Sequence, residues 1–129
     1  EKGRIRLFKS YHSDYLHGGQ RRDFVYVKDC ADLVCWFLDN PHKNGLYNVG
    51  TGQARTWNAL ASAVFNAMAE EVNIVYFEMP NTLKLAYQYY TCADMDKLGQ
   101  TGSPVVFRSL ENAVEDYVVN YLQGEDCYL

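Results

Sequence analysis

No apolar run in these 129 residues approaches the roughly 20 that a membrane-spanning helix needs, and no secretory signal pattern opens the chain. Cysteine is sparse and badly spaced for chemistry: Cys30, Cys35, Cys92 and Cys127 form no C-x-x-C pair, which leaves out a zinc site or a disulfide framework. Cys30 and Cys35, within a predicted helix, read as small apolar residues of a reduced, cytoplasmic protein. His12 and His17 lack a third ligand at a useful spacing, so no metal residues are assigned and both histidines are read as surface groups. There is no Ser-His-Asp arrangement, no internal repeat and no low-complexity tract. A formal net charge of -4 excludes a dedicated nucleic-acid binder.

What is present is charge asymmetry and aromatic residues. Residues 1–22 carry a net +4 and the remainder -8. A basic opening segment on an acidic body either focuses a small anion or is a solvated face. The segment Arg21-Arg22-Asp23-Phe24-Val25-Tyr26-Val27-Lys28-Asp29 organises the rest. Phe24–Val27 is short and rich in β-formers, which predicts a strand. The apolar segment Leu33–Leu38 follows as a helix, with Lys28 or Asp29 at its start, where an acid suits the dipole. Two guanidiniums at a strand's entrance suit a phosphate or diphosphate. The helix over 30–38 is apolar nearly all round, and with Phe24–Val27 it predicts burial on more than one side, which asks for more protein than 129 residues readily supply.

The remaining pattern is mixed α/β. Ile5–Phe8, Leu46–Val49 and Ile74–Phe77 are predicted strands, and residues 10–20 are a loop. Thr56 and Ser109 are predicted caps of two helices with apolar stripes at Trp57, Leu60, Ala61, Val64, Phe65, Met68 and at Leu110, Ala113, Val114, Tyr117, Val118, Tyr121. Glu111, Glu115 and Asp116 are expected on the outer face of the second. Gly50-Thr51-Gly52 lies between strand and helix like a phosphate cradle, but Arg55 stands where the third glycine of G-x-G-x-x-G belongs. A tight structural turn is the favoured reading. Tyr87, Tyr89 and Tyr90 suit either a core or a sugar or base; in a strand Tyr87 and Tyr89 share a face. Residues 93–98 are a short predicted helix, and the tail from Gly124 is expected to fray. The first residue is Glu1 and strand-like sequence begins almost at once, which predicts a missing N-terminal portion.

Arg22–Asp29 resembles the R-D-[FY]-[VI]-x-V-x-D stretch of extended short-chain dehydrogenase/reductases acting on nucleotide sugars. Phe8-Lys9-Ser10-Tyr11, Tyr47–Gly52, Tyr87-Gln88-Tyr89-Tyr90-Thr91 and Ala93–Leu98 fall in the order seen in ADP-glycero-manno-heptose 6-epimerases. The similarity runs from Ile5 to about Val119 and matches the C-terminal part of such an enzyme. It implies that residues 1–129 are a substrate-binding C-terminal domain, with the N-terminal Rossmann domain and its NADP outside this chain. It further implies an isomerase that inverts ADP-heptose at C6 for lipopolysaccharide core synthesis and is a homo-oligomer at full length, with no nucleic-acid or membrane partner. Phe8, Lys9, Ser10, Tyr11, Arg22 and Tyr87 carry over as substrate contacts, with Arg22 on the diphosphate. Leu85-Ala86 departs from the glycine and basic residue usual there. Hydride-transfer enzymes of this superfamily use a Tyr-x-x-x-Lys pair, and no tyrosine here has lysine four residues on. No catalytic or cofactor-binding residue is therefore assigned, and the fragment alone is expected to be inactive. The alternatives are another extended nucleotide-sugar epimerase or dehydratase, which would not be expected to share Tyr87–Leu98, and a non-catalytic nucleotide-sugar binding module.

Overall fold

A computed structural model describes residues 3–124. The expected fraying of the tail falls on residues 125–129, outside the described residues, as does Cys127. Two short ladders and two packed helices frame the chain. β1 (Ile5–Phe8) runs parallel to β4 (Ile74–Phe77) in the register Ile5↔Ile74 to Phe8↔Phe77. β2 (Arg21–Arg22) pairs antiparallel with β3 (Arg55–Thr56), and Arg21 also bridges Tyr90 on its other side. Arg21 is thus bonded on both edges: its N–H donates to Tyr89 O at 2.8 Å, and its carbonyl accepts from Thr91 N at 3.2 Å.

The helices are α1 (Val27–Asp39), α2 (Trp57–Ala67), the single turns α3 (Asn81–Lys84) and α4 (Asp96–Gly99), and α5 (Leu110–Tyr117). α5 continues into a wider π turn over Val118–Leu122. Both expected caps form. Thr56 Oγ1 accepts from Ala59 N at 3.0 Å, and Ser109 Oγ accepts from Asn112 N at 3.2 Å. Each removes an orphan donor from its helix. α2 packs against α5, and Ala61, Phe65, Leu110 and Val118 are buried in the core. α2 ends in a Schellman motif: Glu70 N donates to Phe65 O at 3.0 Å and Ala69 N to Asn66 O at 3.1 Å.

Two expectations are corrected. Phe24–Val27 is not a strand: the ladder belongs to Arg21–Arg22, and Val27 already opens α1 behind Tyr26. Its apolar residues serve helix packing, because Phe24, Val25 and Tyr26 line a groove with Leu60 and Val64 of α2 and Val114 and Tyr117 of α5. Leu46–Val49 is not a strand either. Side chains hold it instead: Tyr47 stacks on Phe37 at 5.1 Å, and Lys97 Nζ donates to Leu46 O at 2.8 Å. The apolar surface of α1, expected to need more cover than this chain supplies, is largely open to solvent. Asp29 and Leu33 are its buried residues, while Val34 and Leu38 are 58% and 74% exposed. Two smaller shifts follow the same logic. The short helix expected over 93–98 begins at Asp96, and residues 83–90 form no strand, Tyr90 being a single bridge partner of Arg21. Among the described residues no helix is long and apolar enough to cross a membrane.

Candidate functional site

The ends of the two ladders bring together most of the residues singled out by the sequence. Phe8 closes β1 and packs on Phe77 at 4.7 Å and edge-on to Tyr87 at 6.4 Å. Tyr87 meets Tyr89 edge-on at 5.3 Å, so the two do share a side although the segment is not a strand. Arg22 lies on the same wall, its guanidinium 5.3 Å from the centre of the Tyr87 ring. That guanidinium also donates to Arg21 O at 2.7 Å and to Gln88 O. Its plane is therefore fixed by backbone carbonyls and an aromatic face, the pre-organisation that two-oxygen recognition of a phosphate requires.

Residues 9–11 continue from β1 along this wall. Tyr11 N donates to the Tyr89 hydroxyl at 3.1 Å. Ser10 N donates to His17 Nδ1 at 3.0 Å, and Ser10 Oγ to His12 O at 3.1 Å. The His12 ring lies 5.2 Å from that of Tyr89, tilted to it, so the two loop histidines help organise the loop; among the described residues no cluster suited to a metal occurs. Lys9 Nζ pairs with Glu78 Oε1 at 2.6 Å, and the Tyr11 hydroxyl donates to Glu78 Oε2. Hydrogen bonding to Lys9, against slight desolvation and with help from the charges of Lys9 and Lys84, holds the Glu78 carboxyl below its ordinary value. Glu78 was not among the expected site residues. Leu85, in the departing dipeptide, is 99% exposed and contributes no wall to the site.

The glycine loop has a different duty from phosphate binding. Asp23 turns its carboxylate into it and accepts from Thr51 N at 2.8 Å, Thr51 Oγ1 at 2.5 Å, Gly52 N at 2.9 Å and Ala93 N at 3.1 Å. Burial pushes this carboxyl up, but the Thr51 hydroxyl and the three N–H donors outweigh it, and the net direction is down. A Cβ on Gly50 would stand 2.5 Å from Asp23 Oδ2, so only glycine lets the acid in. The loop's donors are spent on an internal anion, and this chain's residues do not fit a dinucleotide phosphate there. Asp29 is a second anchor: it is 1% exposed and accepts from the Arg108 backbone N at 2.7 Å and from the Arg108 guanidinium. Asp116, expected to face outward, instead ties α5 to the start of α1 through Lys28 Nζ at 2.7 Å and the Tyr26 hydroxyl at 2.5 Å. These bonds, Lys28 first, press its carboxyl far down, while burial and then Asp116 push Tyr26 up to about 12.

The model of the NAD dependent epimerase/dehydratase family matches residues 3–50. Over its whole length the chain is 53% identical to an ADP-L-glycero-D-manno-heptose-6-epimerase of Nitratidesulfovibrio vulgaris strain DP4, covering 40% of that protein. A protein of the same name from Fusobacterium nucleatum is 44% identical, with all of this chain and 41% of the relative covered. One from Alkalilimnicola ehrlichii is 45% identical over 92% of this chain and 36% of the relative. The chain thus spans about 40% of the length of the curated relatives it matches.

Proposed function

We propose that this chain is the C-terminal, substrate-binding part of an epimerase that interconverts ADP-D-glycero- and ADP-L-glycero-D-manno-heptose at C6. The observation that carries the reading is the Arg22 guanidinium held against Tyr87 beside Phe8 and the 9–11 segment. A planar cation fixed at a ladder end grips a diphosphate, and the neighbouring rings offer flat apolar faces to a sugar or base. Lys9, Ser10 and Tyr11 border the same wall and complete the proposed substrate contacts. The NADP expected of such an epimerase, and the hydride chemistry it supplies, are assigned to a part of the protein outside these residues. The exposed apolar side chains of Val27, Val34 and Leu38 support an α1 that packs against further protein. Cytoplasmic residence and a homo-oligomer at full length belong to the same reading.

The test compares Arg22→Ala with Arg21→Ala in the intact protein by calorimetry. Arg22→Ala should weaken ADP-sugar affinity by about 2–3 kcal/mol, as expected for a charged hydrogen bond and the desolvated group left behind. Arg21→Ala should change it little, and NADP affinity should stay level in both. Equal, small losses would show that diffuse positive charge does the binding. The 129 residues alone should give no C6 inversion with NADP and ADP-heptose; turnover above a blank would overturn that part.

A further inference from the structure

Three groups converge on the Glu78 carboxylate or its immediate partner. Lys9 Nζ donates to one oxygen at 2.6 Å, the Tyr11 hydroxyl donates to the other, and Lys84 Nζ lies 3.9 Å over the Tyr11 ring. They come from three places: the residues after β1, the loop that follows, and α3. An ammonium, a phenol hydroxyl and a second ammonium gathered in this way make a receptor for an anion. Glu78 is weakly held in it. Its side chain is 67% exposed, and among the described residues its hydrogen bonds run to Lys9 and Tyr11. Nothing behind it fixes it as Asp23 and Asp29 are fixed.

We propose that Lys9, Tyr11 and Lys84 form a subsite for a phosphate group of the substrate, and that Glu78 occupies this subsite in the ligand-free protein until the phosphate displaces it. The inference rests on the nucleotide-sugar reading above and adds Glu78 and Lys84 to it. A single carboxylate charge on a solvated side chain is a weak competitor for two ammonium groups, and a phosphate bears more charge and more acceptor oxygens. Glu78 therefore lowers affinity without abolishing it. It discriminates against ligands whose charge is too low to displace it.

The experiment titrates ADP into the intact protein by calorimetry at fixed ionic strength. Removing the internal competitor raises the fraction of free subsite, so Glu78→Gln should tighten ADP by about three- to tenfold. The gain should vanish in a Lys9→Ala background, because the competition is for Lys9, and Asp14→Asn should give no gain. Lys84→Ala should weaken ADP binding. Weaker or unchanged binding in Glu78→Gln overturns the proposal. So does a gain that persists without Lys9, which would be a general field effect. Wild-type protein that fails to bind ADP overturns the reading of the whole site and this inference with it. Binding that depends on Arg22 but not on Glu78 overturns this inference alone.

Discussion

Asp29 and Glu78 are both carboxylates paired to a cation, and the molecule uses them in opposite ways. Asp29 is 1% exposed, takes a backbone N–H as well as the Arg108 guanidinium, and joins α1 to the residues just before α5. The Glu78 side chain is 67% exposed and shares its oxygens between two side chains that are themselves open to solvent. A carboxylate enclosed with a backbone donor cannot leave without stranding its partners, and so it stabilises the fold. A carboxylate held only by solvated side chains exchanges readily with water or with another anion. The same chemistry thus separates a structural clamp from a site.

This contrast can be broken by mutation, beginning at the clamp. Asp29→Ala leaves the Arg108 N–H and guanidinium without their acceptor and should cost about 3–4 kcal/mol in denaturant unfolding, since breaking a buried pair from one side is strongly destabilising. Gly50→Ala drives a methyl against Asp23 Oδ2 and against Ala93 Cβ, which would lie 2.5 Å and 2.7 Å away. Overpacking of this kind should cost about 2 kcal/mol, read as a lower Tm. Asp23→Asn keeps the shape but puts an NH2 group, which cannot accept, where one oxygen accepts two of the four hydrogen bonds, and should cost about 2 kcal/mol at neutral pH. The pH dependence gives its sign. The folded carboxyl titrates below its ordinary 3.8, so its stabilisation is complete above that value and is lost as pH falls through the lower folded one. Tm measured from pH 5 downward should fall less steeply in Asp23→Asn than in the wild type. Asp116 and Glu111, also held low, keep part of the acid limb in both. The smallest effect is at the site: Glu78→Ala and Lys9→Ala should leave Tm unchanged within error, and a clear drop in either would place Glu78 among the anchors.

Sequence reasoning reached the elements whose cause is local. Thr56 and Ser109 cap their helices because a hydroxyl three residues before an N–H needs nothing else, and Ile5–Phe8 and Ile74–Phe77 are strands as their composition predicts. It failed where residues rich in β-formers spend their apolar surface on helices. Phe24 packs edge-on to Trp57 at 5.1 Å, and Tyr26 is buried beside α5, so neither needs a ladder. Arg22 and Tyr87 lie side by side, but no spacing rule could put Glu78 beside Lys9, 69 residues earlier. The available signal was an acid directly after one predicted strand and a lysine directly after another: Glu78 follows Phe77, and Lys9 follows its ladder partner Phe8. The duty of Asp23 was hidden for another reason: its partners include backbone N–H groups, which every residue but proline carries.

The parallel register of β1 with β4 has a kinetic meaning. Phe8 and Phe77 are ladder partners, so Lys9 meets Glu78 only after the intervening chain has closed a long loop. Contacts of such sequence separation form late in folding, because loop entropy must be overcome before they contribute. A ligand seated between residues 9–11 and 84–87 therefore ties early chain to late chain. Such a ligand should bind only once both segments are in place, and its stabilisation should appear in the unfolding rate of the whole domain rather than in the rate at which the helices first collapse.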